Sequence, residues 1–174
     1  MAKFSDGYPK ALYGGSFDPP TNGHLDVVER VAGIFPSVEW HIAINPKKQP
    51  FFEVDKRIEL MEGITDHLDN VTIGHSSSGF LVDYAQQNGF STLVRGLRTE
   101  LDFGEEMTLL KMNKLIMPKE VETIFVPCDP GYEAVSSTAV KQILAANSPN
   151  WQAVVSEIVP PLVMEAIVER QAGL

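Results

Sequence analysis

The sequence predicts an α/β fold, in which a single domain carries a five-stranded parallel sheet with helices on both faces. Hydrophobic periodicity alternates along the chain between short runs typical of strands and longer runs typical of amphipathic helices. Strands that alternate with helices form parallel sheets, because each crossover returns the chain to the same edge. The composition, 44% hydrophobic and 21% charged, is that of a folded domain, and 174 residues suffice for one hydrophobic core.

The first half of the chain contains two strand–helix pairs and the start of a third. An apolar strand at 11–13 ends at a Gly-Gly pair, and apolar residues then recur at helical spacing over 24–34. The run 38–44 (VEWHIAI) is typical of a strand, and the apolar positions of 54–68 suit an amphipathic helix. A short strand at 71–73 follows.

The second half continues the alternation. Thr99 to Asp102 fits a capping box, and Pro118 ends the helix that this box opens, at about residue 117. The other predicted elements are strands at 91–94 and 121–126, helices at 79–87 and 136–146, and a last helix from Pro160-Pro161 to about 170. We expect one domain over 1–174, with the chemistry-bearing motifs in 11–143 and a helical tail over 147–174.

Composition argues against several classes of protein. No run approaches the roughly 18 apolar residues of a membrane span, and the N-terminus lacks the apolar segment of a secretory signal. Cys128 is the single cysteine, so no internal disulfide or zinc-ligand spacing is present, and a cytoplasmic location is expected. The 14 Lys and Arg against 23 Asp and Glu give a net charge of −9, which argues against nucleic-acid binding.

The most informative segment joins the first strand to the first helix. Gly14 and Gly15 allow a ligand to approach the backbone closely, and Ser16 adds a hydroxyl donor. His24 falls in the first turn of the helix, where free N–H groups and the helix dipole attract phosphate. Taken alone, Gly-Gly and a histidine are explained equally well by a turn that leads into a helix.

Three other segments place cations or hydroxyls after predicted strands. Lys47 and Lys48 follow the second strand, where they could bind phosphate oxygens or lie in solvent. The same alternatives hold for Arg95 and Arg98 after the fourth strand, although arginine is well suited to bidentate phosphate contacts. Ser136 opens a helix, where it could bind phosphate or act only as the cap. Since the carboxyl ends of parallel strands meet, these segments are predicted to line one crevice.

Taken together, the motifs resemble those of a known family. Residues 15–19 (GSFDP) and 21–24 (TNGH) are similar to the signature of the nucleotidyltransferase superfamily. Within that superfamily, 95–106 (RGLRTELDFGEE), 79–85 (GFLVDYA) and 135–138 (VSST) resemble the phosphopantetheine adenylyltransferases. The resemblance covers most of the chain, and it implies a Rossmann-like fold and adenylyl transfer from ATP to 4′-phosphopantetheine in coenzyme A biosynthesis.

The resemblance also implies a role for each matched residue. ATP would be bound by Gly15, Ser16, Phe17, His24, Gly96, Arg98, Glu106, Ser136, Ser137 and Thr138. The acceptor substrate, 4′-phosphopantetheine, would be bound by Ser16, Lys48, Phe80, Leu81 and Arg95. Ser16, His24 and Lys48 would act at the α-phosphate as the catalytic residues. Mg²⁺ would arrive with ATP, without a metal site built by the protein alone, and the chain would assemble as a homohexamer.

Two alternative functions remain open at this level. A nicotinate mononucleotide adenylyltransferase shares the GSFDP, TNGH and VSST elements, and a non-catalytic nucleotide-binding module could share the fold. The sequence also departs from the family pattern at three positions. Gly14 stands where proline is common, Ser16 where threonine is common, and Glu105 where an aromatic residue is frequent. The glycine is expected to loosen the loop, whereas serine preserves the hydroxyl.

Overall fold

The computed structural model describes residues 9–44, 49–77, 80–116 and 121–173, and it confirms the predicted α/β fold class. The strands, all parallel, are β1 (Lys10–Gly15), β2 (Ser37–Ala43), β3 (Val71–Ser76), β4 (Thr92–Leu97) and β5 (Glu122–Pro127). The helices are α1 (Asn22–Ala32), α2 (Val54–Ile64), α3 (Leu81–Gln87), α4 (Glu100–Ile116), α5 (Ser137–Ala145), α6 (Trp151–Ser156) and α7 (Pro161–Ala172), with a 3₁₀ turn, η1, at Pro130–Tyr132.

The order of the strands determines where a ligand can bind. The sheet runs β3-β2-β1-β4-β5, so the chain moves outward from β1 to β3 and then crosses back to form β4 on the other side of β1. The connection after β1 leads towards β2, and the connection after β4 leads towards β5 in the opposite direction. The loops that follow these two adjacent strands therefore diverge from each other. This switch point leaves a crevice at the carboxyl ends of β1 and β4.

Alternate residues of the central strands point into two separate apolar clusters. Tyr13 and Val94 belong to the larger cluster, which α1, α2, α5, α6 and α7 complete. Leu12 and Leu93 belong to a smaller cluster on the opposite face, where α3 packs through Val82. Both faces of the sheet are therefore covered, as expected for short apolar strands in a parallel sheet.

The C-terminal helices support the start of α1. Val155 of α6 and Ile167 of α7 are fully buried in the larger cluster. The backbone N–H of Asn22 donates to the carbonyl of Ile158 at 3.0 Å, and its side-chain amide donates to the carbonyl of Glu157 at 3.2 Å. The segment after α5 thus fixes the position of the helix that carries His24.

The predicted elements agree with the observed ones in type and order and differ at their ends. Helix α1 begins at Asn22 rather than at residue 24, and α2 ends at Ile64 rather than at 68. The sequence analysis missed α6 and η1, because helices of 6 and 3 residues are too short to produce a periodic signal. In the part of the chain that the structure describes, no helix is long and apolar enough to cross a membrane.

Candidate active site

A cleft of about 290 Å³ opens at the switch point, between the loop after β1 and the end of β4. Many of the residues predicted to form the site line it, namely Gly15, Ser16, Phe17, His24, Arg95, Gly96, Arg98, Glu106, Ser136, Ser137 and Thr138. Lys47 and Lys48 lie outside the described residues. The structure therefore brings residues of β1, α1, β4, α4 and α5, and of the loops that follow β1 and β4, to one cavity.

The carboxyl end of β1 divides this cleft into two sides. Tyr13 pairs with Val94 of β4, so that the next residues along the two strands, Gly14 and Arg95, also lie side by side. Arg95 points to the face covered by α3 and α4, whereas His24 extends from α1 on the other face. A phosphate group seated above the end of β1 would therefore have a cationic group on one side and an imidazole on the other.

His24 is held in a single orientation by Thr21, the N-cap residue of its own helix. The backbone N–H of Thr21 donates to His24 Nδ1 at 3.1 Å, and the Thr21 hydroxyl lies 2.9 Å from the same nitrogen. Because Nδ1 accepts the backbone proton, the ring proton of the neutral imidazole resides on Nε2. Burial, together with the nearby charge of Arg98, lowers the pKa of His24 to about 4. His24 is therefore a neutral hydrogen-bond donor near pH 7.

The loop between β1 and α1 is fixed from below by packing and by a buried arginine. Phe17 adopts a left-handed backbone with φ of 45°. The residue is 3% exposed, and its ring packs edge-on against Tyr13 and Trp40. Only the backbone of Phe17 is thus available to a ligand. Arg57 of α2, also buried, donates from Nη1 to the carbonyl of Ser16 at 2.8 Å. Sequence analysis missed Arg57 because nothing in its helix distinguishes it from a surface arginine.

Arg95 is presented to the cleft by two partners. Its Nε donates to Glu106 Oε2 at 2.7 Å, and its Nη2 donates to the other carboxylate oxygen. Its Nη1 donates to the carbonyl of Gly14 at 2.9 Å. The bidentate pair fixes the plane of the guanidinium. An anionic ligand that binds Arg95 must share this group with Glu106 or displace the carboxylate.

Arg98, three residues further along the chain, is likewise paired with a carboxylate, that of Asp102. Its Nε donates to Asp102 Oδ2 at 3.1 Å, and its backbone N–H donates to the same oxygen at 3.1 Å. The backbone N–H of Asp102 donates to the Thr99 hydroxyl at 3.2 Å, so half of the predicted capping box forms. The carboxylate that would complete the box binds Arg98 instead.

The start of α5 supplies three hydroxyl groups to the cleft, from Ser136, Ser137 and Thr138. Ser136 accepts a hydrogen bond from the backbone N–H of Ala139 at 3.0 Å and is therefore the helix cap. The hydroxyl of Ser137 donates to the carbonyl of Pro19 at 2.8 Å, which joins α5 to the loop after β1. The capping interpretation of Ser136 is thus confirmed, and a phosphate at this helix start would meet backbone N–H groups.

Asp18 is a further residue of the site that the sequence analysis did not single out. Asp18 is buried, and its carboxylate accepts hydrogen bonds from the backbone N–H groups of Phe51 at 2.7 Å and Phe52 at 2.8 Å. The Nζ of Lys141 lies 3.7 Å from the same carboxylate. Asp18 therefore ties the loop after β1 to the segment that follows Lys48. Its position in the GSFDP motif was the sequence signal that could have indicated this role.

We expect Asp18→Ala to lower the free energy of unfolding by about 3 kcal/mol, because two backbone N–H groups lose a buried charged acceptor. Urea denaturation followed by circular dichroism measures this change. Glu59→Ala is the matched control, since the Glu59 side chain is 65% exposed and pairs with Lys56 at the surface, and its loss should change the free energy by less than about 0.5 kcal/mol. Equal effects of the two substitutions would contradict the role of Asp18.

Comparison with known proteins identifies the family. The sequence model of the cytidylyltransferase-like family matches residues 12–143. The phosphopantetheine adenylyltransferase of Heliobacterium modesticaldum is 41% identical over 92% of this chain and 91% of its own length. The chain belongs to the phosphopantetheine adenylyltransferase family. The phosphopantetheine adenylyltransferases of Finegoldia magna and Streptomyces coelicolor are 42% and 38% identical, each over 92% of this chain and over 95% and 96% of their own lengths.

Solved structures of more distant adenylyltransferases share the fold. A putative nicotinate-nucleotide adenylyltransferase from Vibrio parahaemolyticus aligns with a TM-score of 0.62 over 92% of this chain and 99% of its own, at 20% identity. The nicotinic acid mononucleotide adenylyltransferase of Plasmodium falciparum aligns with a TM-score of 0.66 over 94% of this chain and 96% of its own, at 16% identity. At these identities the likeness concerns the fold alone.

The departures from the family pattern can now be placed in the structure. Gly14 lies within β1, and its carbonyl is bonded to Arg95, so the expectation that this glycine loosens the loop is wrong. The side chain of Leu81, at the start of α3, occupies the space above it. Ser16 and Glu105 both line the cleft. Phe80 is 45% exposed beside Leu81, and neither residue lines the cleft itself.

Proposed function

We propose that this protein transfers the adenylyl group of ATP to 4′-phosphopantetheine, giving dephospho-coenzyme A and pyrophosphate. Membership in the phosphopantetheine adenylyltransferase family supports the substrates. The observation that carries the proposal is the position of His24 and Arg95 on opposite sides of the end of β1, in one cleft. Formation of dephospho-coenzyme A from ATP and 4′-phosphopantetheine, followed by mass spectrometry, tests it.

The reaction requires positioning and charge stabilisation rather than covalent help from the protein. An oxygen of the acceptor phosphate attacks the α-phosphorus of ATP and forms the new P–O bond, while the bond to the β-phosphate oxygen breaks and releases pyrophosphate. The attacking phosphate is already an anion near pH 7, so no general base is needed. Negative charge grows on the α-phosphate oxygens, and fixed donors directed at them lower the barrier.

His24 is suited to stabilise this charge. Its neutral ring offers the Nε2 proton, and Thr21 fixes the ring from the other nitrogen, so little reorganisation is needed when the charge develops. The hydroxyl and backbone N–H of Ser16, which also lines the cleft, can add further donors. Lys48 is proposed as the cation that approaches the same phosphate.

The remaining cleft residues are proposed to bind the acceptor and the departing pyrophosphate at separate positions in the cleft. Arg95 binds the phosphate of the acceptor, by sharing or exchanging its contact with Glu106. Arg98 and the N-terminal turn of α5 bind the β- and γ-phosphates of ATP, which leave as pyrophosphate. Gly96 and Glu106 are proposed to contact the nucleoside. This division places the acceptor on the α3/α4 side of β1.

Mg²⁺ is proposed to enter with ATP. Among the described residues, no group of three or more His, Cys, Asp or Glu side chains could hold a metal ion. Of the carboxylates that line the cleft, Asp102 and Glu106 are paired with arginines. The donors present thus fit an ion held largely by phosphate oxygens and water. When bound, the ion would neutralise part of the charge of the triphosphate.

The alternative acceptor is less well supported. The two solved nicotinate-type enzymes described above share 20% and 16% identity with this chain, whereas the phosphopantetheine adenylyltransferases share about 40%. A non-catalytic binding module would not require Thr21 to fix the tautomer of His24. Assembly into homohexamers in the cytoplasm remains a prediction from the family resemblance. Leu101 and Leu115 of α4, 83% and 85% exposed, could contribute to such an interface, and mass photometry measures the assembly directly.

The pKa of His24 predicts how activity and stability depend on pH. Because the pKa is lowered to about 4, His24 stays neutral and kcat should not fall through its protonation between pH 8 and pH 5. In the unfolded chain the pKa returns to about 6.5. Between these two values the unfolded state binds a proton that the folded state does not, so the free energy of unfolding decreases as the pH falls from 6.5 to 4.

Denaturant titrations at pH 7 and pH 5 measure this contribution. The wild type should lose more stability between the two pH values than His24→Asn does, because the variant lacks the titrating ring. Equal losses would contradict the lowered pKa, as would a kcat that halves near pH 6.5 in the wild type and not in the variant.

A further inference from the structure

Three side chains near the edge of the sheet are joined by hydrogen bonds outside the cleft. Glu39 and His41 belong to β2, and Ser76 ends β3, which is an edge strand of the sheet. His41 Nδ1 lies 2.7 Å from Glu39 Oε1, and His41 Nε2 lies 2.8 Å from Ser76 Oγ. None of the three residues lines the cleft described above, and the proposed adenylyl transfer does not use them.

The two partners of His41 determine where the protons lie. Because a carboxylate only accepts, the proton of the neutral imidazole resides on Nδ1 and is donated to Glu39. His41 Nε2 then carries the free lone pair and accepts the hydroxyl proton of Ser76. A hydroxyl, an imidazole and a carboxylate are thus connected in the order that activates a serine as a nucleophile.

The position of Glu39 depends on a glycine beside it and on a tyrosine of α3. Gly74 of β3 pairs with His41, and a Cβ atom at position 74 would overlap the Glu39 carboxylate. The ring of Tyr84 packs on His41, with 4.2 Å between the ring centroids. Burial, the hydrogen bond to Glu39 and the charge of that carboxylate raise the pKa of Tyr84 to about 12. The Tyr84 hydroxyl therefore stays protonated and donates to Glu39, which holds the carboxylate beside His41.

Burial differs along the three groups in a way that suits a reaction at the serine. His41 is fully buried and the Glu39 side chain is 17% exposed, whereas Ser76 is partly exposed at the end of its edge strand. The imidazole is therefore shielded from water, while the hydroxyl remains accessible to a small reagent. In this environment the carboxylate stabilises the positive charge that the ring gains when it takes the proton of the serine.

We infer that Ser76 is an activated nucleophile of a second site, which takes the acyl group of small activated esters, with His41 as the base and Glu39 as a positioning residue. Ser76 Oγ attacks the carbonyl carbon and forms a C–O bond, while its proton passes to His41 Nε2. The bond between that carbon and the leaving oxygen breaks, and the leaving group takes the proton from Nε2. Water, deprotonated by the same nitrogen, then hydrolyses the acyl-serine to the carboxylic acid and restores the hydroxyl. This activity is independent of adenylyl transfer, so either can fail without the other.

The test is acylation of the full chain by p-nitrophenyl acetate, followed by release of p-nitrophenolate and by peptide mass spectrometry. The wild type should carry an acetyl group on Ser76 and release about one equivalent of p-nitrophenolate per chain in an initial burst. If the acetyl-serine hydrolyses too quickly to be detected, an alkyl fluorophosphonate, which forms a stable phosphonyl-serine and releases fluoride, should label the same hydroxyl. Ser76→Ala should lose both the burst and the label.

Ser156 is the matched control within the same molecule, since it is exposed and its hydroxyl donates to the carbonyl of Ala153 at 2.9 Å. In the wild type, Ser76 should be labelled about 10²-fold faster than Ser156 or more, the contribution of a positioned general base. Ser156→Ala should leave the burst unchanged. Equal labelling of the two serines, or no label on Ser76, would overturn the inference without the use of any variant.

Two further variants separate activation from a structural role of the same hydrogen bonds. Glu39→Gln should slow the labelling of Ser76 by about 10²-fold or more, because the amide does not stabilise the charged imidazole, and His41→Gln should remove the activation entirely. Circular dichroism verifies that each variant is folded. An unchanged labelling rate in either folded variant would overturn the inference. If both variants unfold, the comparison of Ser76 with Ser156 in the wild type decides.

Discussion

Replacement of His24 by alanine is expected to lower kcat by about 10²- to 10³-fold, with a much smaller change in KM for either substrate. Removal of one fixed donor from a developing oxyanion typically has an effect of this size. The KM values should change little because the hydrogen bond strengthens mainly in the transition state. Steady-state kinetics of pyrophosphate release measure both parameters.

His67→Ala is the matched control for this experiment. His67 is half exposed and pairs with Glu29 on the surface, so its removal should leave kcat within about twofold. Thr21→Val provides a second comparison, because it removes the hydroxyl at Nδ1 and retains the backbone donor. A smaller loss of kcat than in His24→Ala is expected. An unchanged kcat in His24→Ala would refute its proposed catalytic role.

Replacement of Arg95 by alanine is expected to raise KM for 4′-phosphopantetheine by about 10²-fold, while KM for ATP changes by a few-fold at most. Truncation of one member of a partly buried, hydrogen-bonded charge pair typically costs about 2–5 kcal/mol. In Arg98→Ala the pattern should reverse, with the larger increase in KM for ATP. The two arginines lie on the same short segment, so each serves as the control for the other.

The ion pair with Glu106 requires one further variant. Arg95→Ala alone leaves the Glu106 carboxylate unpaired near the acceptor phosphate, and repulsion would add to the loss of the guanidinium. The double variant Arg95→Ala, Glu106→Gln removes this repulsion and should recover part of the acceptor KM. If KM for the acceptor is unchanged in Arg95→Ala, the acceptor phosphate binds elsewhere.

The sequence was sufficient to predict the fold because its signals are local. The central strands are apolar runs and helices such as α1 have a spaced apolar face, and such patterns survive in the structure because both faces of the sheet are covered. The loop from Gly15 to His24 could likewise be placed at the sheet edge, because it joins a strand to a helix. Helix α6, with 6 residues, has no comparable local signal.

Several features of the cleft could not be predicted because they depend on partners distant in sequence. Arg57 reaches the carbonyl of Ser16 from another helix, and Asp18 binds backbone groups more than thirty positions away. The space above Gly14 is taken by Leu81, which only the packing of α3 on β1 reveals. Motifs therefore indicated which residues meet, whereas the structure indicates how their orientations are fixed.

The most direct test of the proposed function is pyrophosphate release from Mg-ATP, with 4′-phosphopantetheine and nicotinate mononucleotide assayed side by side. We predict release with 4′-phosphopantetheine and none above background with the mononucleotide. Release with the mononucleotide alone would contradict the assignment of the acceptor. ATP binding without release in either assay would contradict catalysis and would indicate a nucleotide-binding module.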